Sequence, residues 1–342
     1  MVRPIGLLMC VLVTLLAAGI VLSTGMGYLK INWYTTIQII VAKLTGQNDL
    51  LSQLDPVLPT VVMDVRLPRI LTAAAVGGGL AICGTVFQGI LLNPLADPYT
   101  LGVSAGAAFG AALAIILNIS FVGTYSITLM AFMGAVITLA LVIYLSAGTG
   151  GLSSNNLILS GIIVAAILSA GISFLKYLAD EQVGVIIFWL MGSFASRTWM
   201  DVVLISSATV IGLIIFLIFA RDLNLLSLGE RTASSLGVNT GKTTLILLVT
   251  ASLLSAVCVS VSGIIGFVGL LIPHLMRSIT GPDNLRLLPV SLLAGATLLL
   301  IADTITRAVL PQEVPIGILT ALIGGPFFCY IFRRRQTGKR GF

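Results

Sequence analysis

The sequence predicts an all-α polytopic membrane protein with ten transmembrane helices. The mean hydropathy is +1.13, and only 9% of the 342 residues are charged, whereas soluble domains carry about 25%. The apolar stretches are continuous over about 20 residues, the length that a helix needs to cross a membrane. A membrane β-barrel would instead show alternating segments of about ten residues. Residues 1–342 are therefore expected to form one transmembrane domain.

Helix-breaking residues and polar loops set the limits of the predicted spans. Pro94 and Pro98 each remove a backbone donor and end the second span. The uncharged stretch 98–175 is far longer than one crossing, because a helix rises about 1.5 Å per residue; turns at 118–123 and 148–156 divide it into three. A further turn is expected at 262–266. The spans are predicted at 5–29, at 66–92, three within 98–175, at 202–220, two within 243–276, at 288–306 and at 315–332.

Small residues recur every four positions in two of these spans, which predicts close contacts between helices. One row lies in the second span and the other in the third. The rows are Gly77, Ala81, Thr85 and Gly89, and Gly102, Gly106 and Gly110.

The distribution of Lys and Arg predicts the orientation of the chain. Ten crossings place both termini on one side, which then carries eleven of the 18 basic residues. These are Arg3, Arg221, Arg231, Lys242, Arg277, Arg286, Arg333, Arg334, Arg335, Lys339 and Arg340. Because cytoplasmic loops carry an excess of Lys and Arg, both termini and the segment 221–242 are expected in the cytoplasm. This orientation also explains the net charge of +6 without nucleic acid as a partner.

The polar segment 221–242 is patterned like a short helix. Ser227 and Glu230 have the spacing of a capping box, and Gly237 stands where a residue with positive φ closes a helix. About nine residues lie between these signals, too few for an isolated helix to be stable in water. We therefore expect this helix to dock on a soluble partner.

No group of residues predicts an enzyme, a metal site or a cofactor bound by this chain. His274 is the only histidine, and the four cysteines lie in apolar segments without a CxxC pair, which is typical of buried apolar positions. Residues 237–244 look like a phosphate-binding loop, but three residues separate their glycines where that motif requires four.

Four charged residues near the predicted outer face allow more than one interpretation. Asp303 lies inside a span, where a charge costs about 2.5–3.5 kcal/mol. It either pairs with Arg307 one turn later or serves as a proton or sodium site. Arg66, Arg69 and Arg307 oppose the positive-inside trend. They either extend to the interface from span ends or bind carboxylates of a protein that arrives from outside.

Eight motifs occur in a fixed order along residues 66–332. They are RLPR at 66–69, GGGLAICGTVFQ at 77–88, NPLADPYTLGVSAGA at 93–107, WLMGS at 189–193, GERTASSLGV at 229–238, IGFVGLLIPHLMR at 265–277, ADTITR at 302–307 and PQEVPIGILTALIGGPFF at 311–328. This series resembles the FecCD-type permeases, the membrane subunits of ABC importers for iron–siderophore, haem and cobalamin.

The resemblance implies a multi-pass subunit of a prokaryotic cell membrane, usually a homodimer with the transport pathway between the two copies. The implied partners are two copies of an ABC ATPase, which bind ATP–Mg, an extracytoplasmic substrate-binding protein and membrane lipid. The implied cargo is an iron–siderophore, with haem or cobalamin as alternatives. A secondary transporter that uses Asp303 as its ion site remains a further alternative.

The resemblance also implies roles for three sets of residues, none of which is catalytic. The coupling segment that contacts the ATPase comprises Leu228, Gly229, Glu230, Arg231, Ala233, Leu236, Gly237 and Val238. Docking of the substrate-binding protein is implied for Arg66, Arg69 and Arg307. A cytoplasmic gate is implied at Asn93, Leu95, Ser154 and Asn155.

Overall fold

The computed structural model describes residues 5–27, 29, 31–46, 54–147, 153–309 and 312–336. These residues form fourteen α-helices and no β-strand. The helices are α1 Ile5–Gly25, α2 Trp33–Thr45, α3 Val57–Ile90, α4 Val103–Ile116, α5 Ser126–Ser146, α6 Ser154–Leu178, α7 Val183–Leu190, α8 Trp199–Ile218, α9 Ala220–Leu226, α10 Glu230–Ser235, α11 Thr240–Ser262, α12 Val268–Thr280, α13 Asn284–Ala308 and α14 Ile316–Gln336. Three of the basic residues on the predicted cytoplasmic side, Arg3, Lys339 and Arg340, lie outside the described residues. Residues 148–152 of the turn predicted at 148–156 lie outside them as well.

Seven of the described helices are long and apolar enough to cross a membrane, namely α1, α3, α5, α6, α8, α11 and α13. The other three predicted spans fall on α4, α12 and α14, which do not meet this criterion of length and hydropathy over the described residues. No helix covers residues 93–98, 118–122 or 263–266, as predicted, whereas residues 154–156 of the turn predicted at 148–156 belong to α6 and Ser262 belongs to α11. The chain is thus a multi-pass helical membrane protein.

Helix α3 begins at Val57, earlier than the predicted span start at Arg66. The Asp55 carboxylate accepts a hydrogen bond from the Val57 amide at 3.0 Å and so provides the start signal. Residues Val61–Arg66 form a π-helical segment directly before Pro68, whose missing donor disturbs the regular α-helical ladder. As a result, Arg66 and Arg69 lie inside a helix and are buried, with 6% and 8% of their surface exposed.

The centre of the fold is α3, which packs against α1, α8, α11, α12 and α13. Glycine makes these contacts close: a Cβ atom added to Gly77 would collide with the carbonyl oxygen of Gly295 on α13, and one added to Gly84 would collide with Gly269 on α12. The second predicted row also makes a close contact, since a Cβ atom added to Gly106 would collide with the carbonyl oxygen of Gly134 on α5. Small residues therefore allow the backbones to approach, as the sequence predicts.

We expect Gly84→Ala to lower the thermal unfolding midpoint of the purified protein, because the added methyl group has no space against Gly269 and overpacking costs about 1–3 kcal/mol. Gly6→Ala is the matched control, since a Cβ atom at Gly6 meets nothing within 4 Å and alanine favours a helix. Equal midpoints for the two variants would contradict the close packing of α3 on α12.

Candidate functional site

The segment that follows α9 forms a short exposed helix, α10, but it does not begin with the predicted capping box. The Ser227 hydroxyl donates to the Leu223 carbonyl at 2.8 Å, because Ser227 still belongs to the last turn of α9. Gly229, with φ of 104°, is the N-cap residue instead. Helix α10 is therefore six residues long rather than about nine.

The predicted end of this helix is confirmed at Gly237, which has φ of 89°. The Val238 amide donates to the Ala233 carbonyl at 3.1 Å and the Gly237 amide donates to the Ser234 carbonyl at 3.0 Å. These two bonds form a Schellman motif, which satisfies carbonyl groups at the helix end. Ala233 is fully buried and anchors α10 to the rest of the chain.

The outer side of α10 exposes apolar and charged side chains together. Leu228 is 64% exposed and Leu236 is 58% exposed, and Glu230 and Arg231 are exposed beside them. Large apolar side chains exposed beside charged residues are typical of a surface that binds another protein.

The predicted gate residues Asn93 and Leu95 lie in the loop between α3 and α4. The Asn93 side chain accepts a hydrogen bond from the Leu95 amide at 2.9 Å, an Asx turn that fixes the loop. Next to it, the Asp97 carboxylate accepts hydrogen bonds from the Thr100 hydroxyl at 2.9 Å and the Tyr99 amide at 3.1 Å. Burial raises the pKa of Asp97, and these hydrogen bonds oppose the increase.

The other two predicted gate residues lie at the start of α6, close to the same loop. The Ser154 hydroxyl donates to the Ile90 carbonyl at 3.2 Å, which joins α6 to the last turn of α3. Asn155 is exposed. The structure thus places the start of α6 next to the helix end from which the Asn93 loop departs.

A surface cavity of about 460 Å³ lies between the coupling segment and this loop. Gln88, Leu92 and Pro94 line it from the α3 side, and Ser227, Leu228 and Gly229 line it from the coupling segment. Arg277 lines it as well, and its guanidinium donates to the Gln88 side chain at 3.0 Å. Sequence reasoning did not select Gln88 or Arg277, because their contact joins positions 189 residues apart.

The opposite end of α3 carries the predicted docking arginines, and Arg69 forms a buried ion pair with Asp303. Its Nε and Nη2 atoms donate to the Asp303 carboxylate at 3.1 and 2.8 Å, and Nη2 also donates to Glu313 at 2.6 Å. The predicted pair of Asp303 with Arg307 is present but longer, at 3.9 Å. Arg69 is therefore the principal partner of Asp303.

Arg66 and Arg307 bind the carbonyl groups at the end of α1. Arg66 donates to the Thr24 and Leu29 carbonyls at 2.8 and 2.5 Å. Arg307 donates to the Met26 and Ser23 carbonyls at 2.6 and 2.9 Å. The last carbonyls of a helix lack intrahelical partners, and a cation is favourable beside them. Both arginines thus cap α1 from other helices.

A fourth arginine, Arg197, lies in the segment between α7 and α8 and was not among the predicted site residues. It donates to the Val261 carbonyl at 2.6 Å, and burial lowers the pKa of its guanidinium. Among the described residues no group of three or more His, Cys, Asp or Glu side chains is placed to hold a metal ion.

Comparison with known proteins extends over nearly the whole chain. The FecCD transport family profile matches residues 15–334. The molybdate import system permease protein MolB of Haemophilus influenzae is 40% identical over 329 residues, which cover 96% of this chain and 95% of that protein. The hemin transport system permease protein HmuU of Yersinia pestis is 38% identical over 337 residues, covering 97% and 96%.

A solved structure described as an inward-facing conformation of a metal-chelate type ABC transporter has a TM-score of 0.83 to this chain at 38% identity. The alignment covers 95% of this chain and 98% of that chain. The family profile, the full-length relatives and the shared helical architecture agree. The chain belongs to the FecCD transport family and is a permease of an ABC importer.

Proposed function

We propose that this permease moves an iron–siderophore complex inward, driven by ATP hydrolysis on a separate ATPase subunit. The observation that carries the proposal is a cavity lined both by Ser227, Leu228 and Gly229, which lie directly before the exposed helix α10, and by Leu92 and Pro94, which flank Asn93 in the predicted gate loop. A protein bound to α10 touches or adjoins this loop, so a movement of the ATPase reaches the cytoplasmic end of the pathway by direct contact. Asn93, Leu95, Ser154 and Asn155 form the gate in this proposal.

The proposed topology has ten crossings, with both termini and α10 in the cytoplasm. Helices α4, α12 and α14 complete the crossings in this proposal; α4 packs against α5, and α12 packs against α3, whereas α14 exposes Leu322, Ile323 and Tyr330. The length of α3 supports this arrangement: Arg66 and Ile90 are 24 residues apart, or about 36 Å along a helix, compared with a hydrocarbon core of about 30 Å. The arginine cluster, formed by Arg66, Arg69 and Arg307, and the gate loop, which holds Asn93 and Leu95, then lie on opposite faces of the membrane.

The proposed assembly contains a second copy of this chain, with the pathway between the two copies. Helix α6 supports this, because only 22% of the residues in its apolar 18-residue stretch are buried within one chain. Ile163, Ile167 and Phe174 on α6 are all about half exposed or more. In the proposed assembly, part of this helix faces the partner copy and lines the pathway.

The cargo proposal is supported by the similar solved structure, which is described as a transporter of the metal-chelate type. Relatives named for molybdate and for hemin have similar identity over similar lengths. Haem therefore remains an alternative cargo, and so does cobalamin, for which a relative that is 43% identical over 278 residues is named. The discriminating experiment is uptake of ferric siderophore, haem and cobalamin, each supplied with its own substrate-binding protein, by the complete transporter in vesicles.

Transport driven by an ion gradient is less well supported by the geometry. Asp303 is the one candidate ion site, and its two carboxylate oxygens already accept hydrogen bonds from Arg69. Reconstitution of the permease with and without its ATPase separates the two mechanisms. We expect uptake only with the ATPase and ATP; accumulation by the permease alone under an ion gradient would contradict the proposal.

We expect Leu236→Asp to weaken binding of the ATPase subunit about tenfold and to abolish ATP-dependent uptake, because it places a charge in an apolar docking surface. The matched control is Leu117→Asp, at the C-terminal end of α4, where the leucine is 61% exposed compared with 58% for Leu236. Binding is measured on permease in lipid nanodiscs. If both variants bound the ATPase equally well, the coupling role of α10 would be refuted.

We also expect loss of the Arg69 charge to weaken binding of the extracytoplasmic substrate-binding protein about tenfold. Arg69→Gln alone would leave Asp303 buried without its partner, so the informative variant is Arg69→Gln with Asp303→Asn, in which both charges are removed together. Asp303→Asn is the control that retains the arginine. An unchanged Kd in a double variant of normal thermal stability would assign Arg69 a structural role only.

A further inference from the structure

Arg69 is shared between two carboxylates that differ greatly in accessibility. The Asp303 side chain is 1% exposed and accepts hydrogen bonds from both Nε and Nη2 of Arg69. The Glu313 side chain is 43% exposed and has its one described contact with Nη2, at 2.6 Å. Asp303 is therefore a permanent buried partner, whereas Glu313 reaches the same guanidinium from the surface.

The position of Glu313 shows that a carboxylate can approach Arg69 from solution. Arg69 itself is only 8% exposed, yet the half-exposed Glu313 contacts it directly from the segment between α13 and α14. A carboxylate of another protein that entered along the same route would meet the same Nη2 atom. It could do so only after Glu313 had left, because the two carboxylates would compete for this donor.

The charge balance of the cluster favours exchange of one carboxylate for another. Two guanidinium groups, those of Arg69 and Arg307, pair with the two carboxylates Asp303 and Glu313. Departure of Glu313 alone would leave one excess positive charge among these four groups, and an uncompensated charge in a partly buried site is unfavourable. Replacement by a partner carboxylate restores the balance.

We propose that Glu313 occupies the docking position of Arg69 in the free permease and is displaced by a carboxylate of the substrate-binding protein. This inference rests on the proposed function, since it requires a protein that docks on this face. The displaced segment leads directly into α14, where the Ile316 and Gly317 amides donate to the Gly192 and Met191 carbonyls at 3.2 and 3.0 Å. Docking therefore loosens the start of α14.

The test uses the complete transporter in nanodiscs, with its own purified substrate-binding protein as the probe. We expect Glu313→Gln to lower the Kd about fivefold, because the competitor for Arg69 loses its charge. The control is Asp64→Asn, which removes an exposed carboxylate from the same end of α3 that forms no ion pair within the described residues. This control measures how much the removal of any negative charge on this face tightens binding of the substrate-binding protein. We expect its Kd to change less than twofold.

A second readout is hydrogen exchange in the wild-type transporter, in which the Ile316 and Gly317 amides should exchange faster when the substrate-binding protein is bound. Displacement is refuted if Glu313→Gln binds no more tightly than Asp64→Asn, or if these amides become more protected. Absence of any binding to the wild-type transporter is a different result: it refutes the proposed docking function itself, and the inference with it.

Discussion

Helix α3 lies in close backbone contact with two of its neighbours. The backbone of Gly77 lies against Gly295 on α13, and Gly84 lies against Gly269 on α12, with no space for a single methyl group. Protein interiors of this density transmit displacement rather than absorb it. The proposed transport mechanism depends on this property, because α3 runs from the arginine cluster to the gate loop.

Charge is concentrated at the ends of this central helix, and each end has a distinct chemistry. At one end, buried guanidinium groups bind carboxylates and carbonyl groups in the last turn of α1. At the other end, the exposed Leu228, which precedes α10, lines a cavity that also contains the Gln88–Arg277 contact. Between them the chain supplies apolar helices. This arrangement suits a permease that obtains both its energy and its cargo from other proteins.

The features that the sequence predicted correctly are those with a local physical cause. Pro94 and Pro98 remove backbone donors wherever they occur, so the break after α3 needs no knowledge of the fold. Gly237 tolerates a positive φ, so the end of α10 was likewise predictable. The spacing of the glycines on α3 predicted close packing, although it could not identify α12 and α13 as the partners.

The sequence predictions failed where one side chain had two possible local hydrogen-bond partners, or where a contact joins residues far apart in the sequence. Ser227 has the right spacing from Glu230 for a capping box, but the preceding helix α9 ends at this point and takes the hydroxyl for its own carbonyl. The structure extends α3 back to Val57, before the predicted span start at Arg66, and it buries Arg66 and Arg69. The Arg69 contacts span 234 and 244 residues of sequence and leave no local pattern.

The central claim is that α3 moves as a rigid body between the two functional ends. Spin labels at positions 65 and 92 test it most directly, because Val65 on α3 and Leu92, two residues after its end, are both more than half exposed. Cys10 and Cys329 must first be replaced, since both are exposed, contrary to the buried positions predicted for all four cysteines. In a transporter that carries labels on only one of its two permease copies, double electron–electron resonance should give one narrow distance of about 40 Å, unchanged by ATP and by the substrate-binding protein. A distance that shifts by several ångströms during the transport cycle would contradict the account.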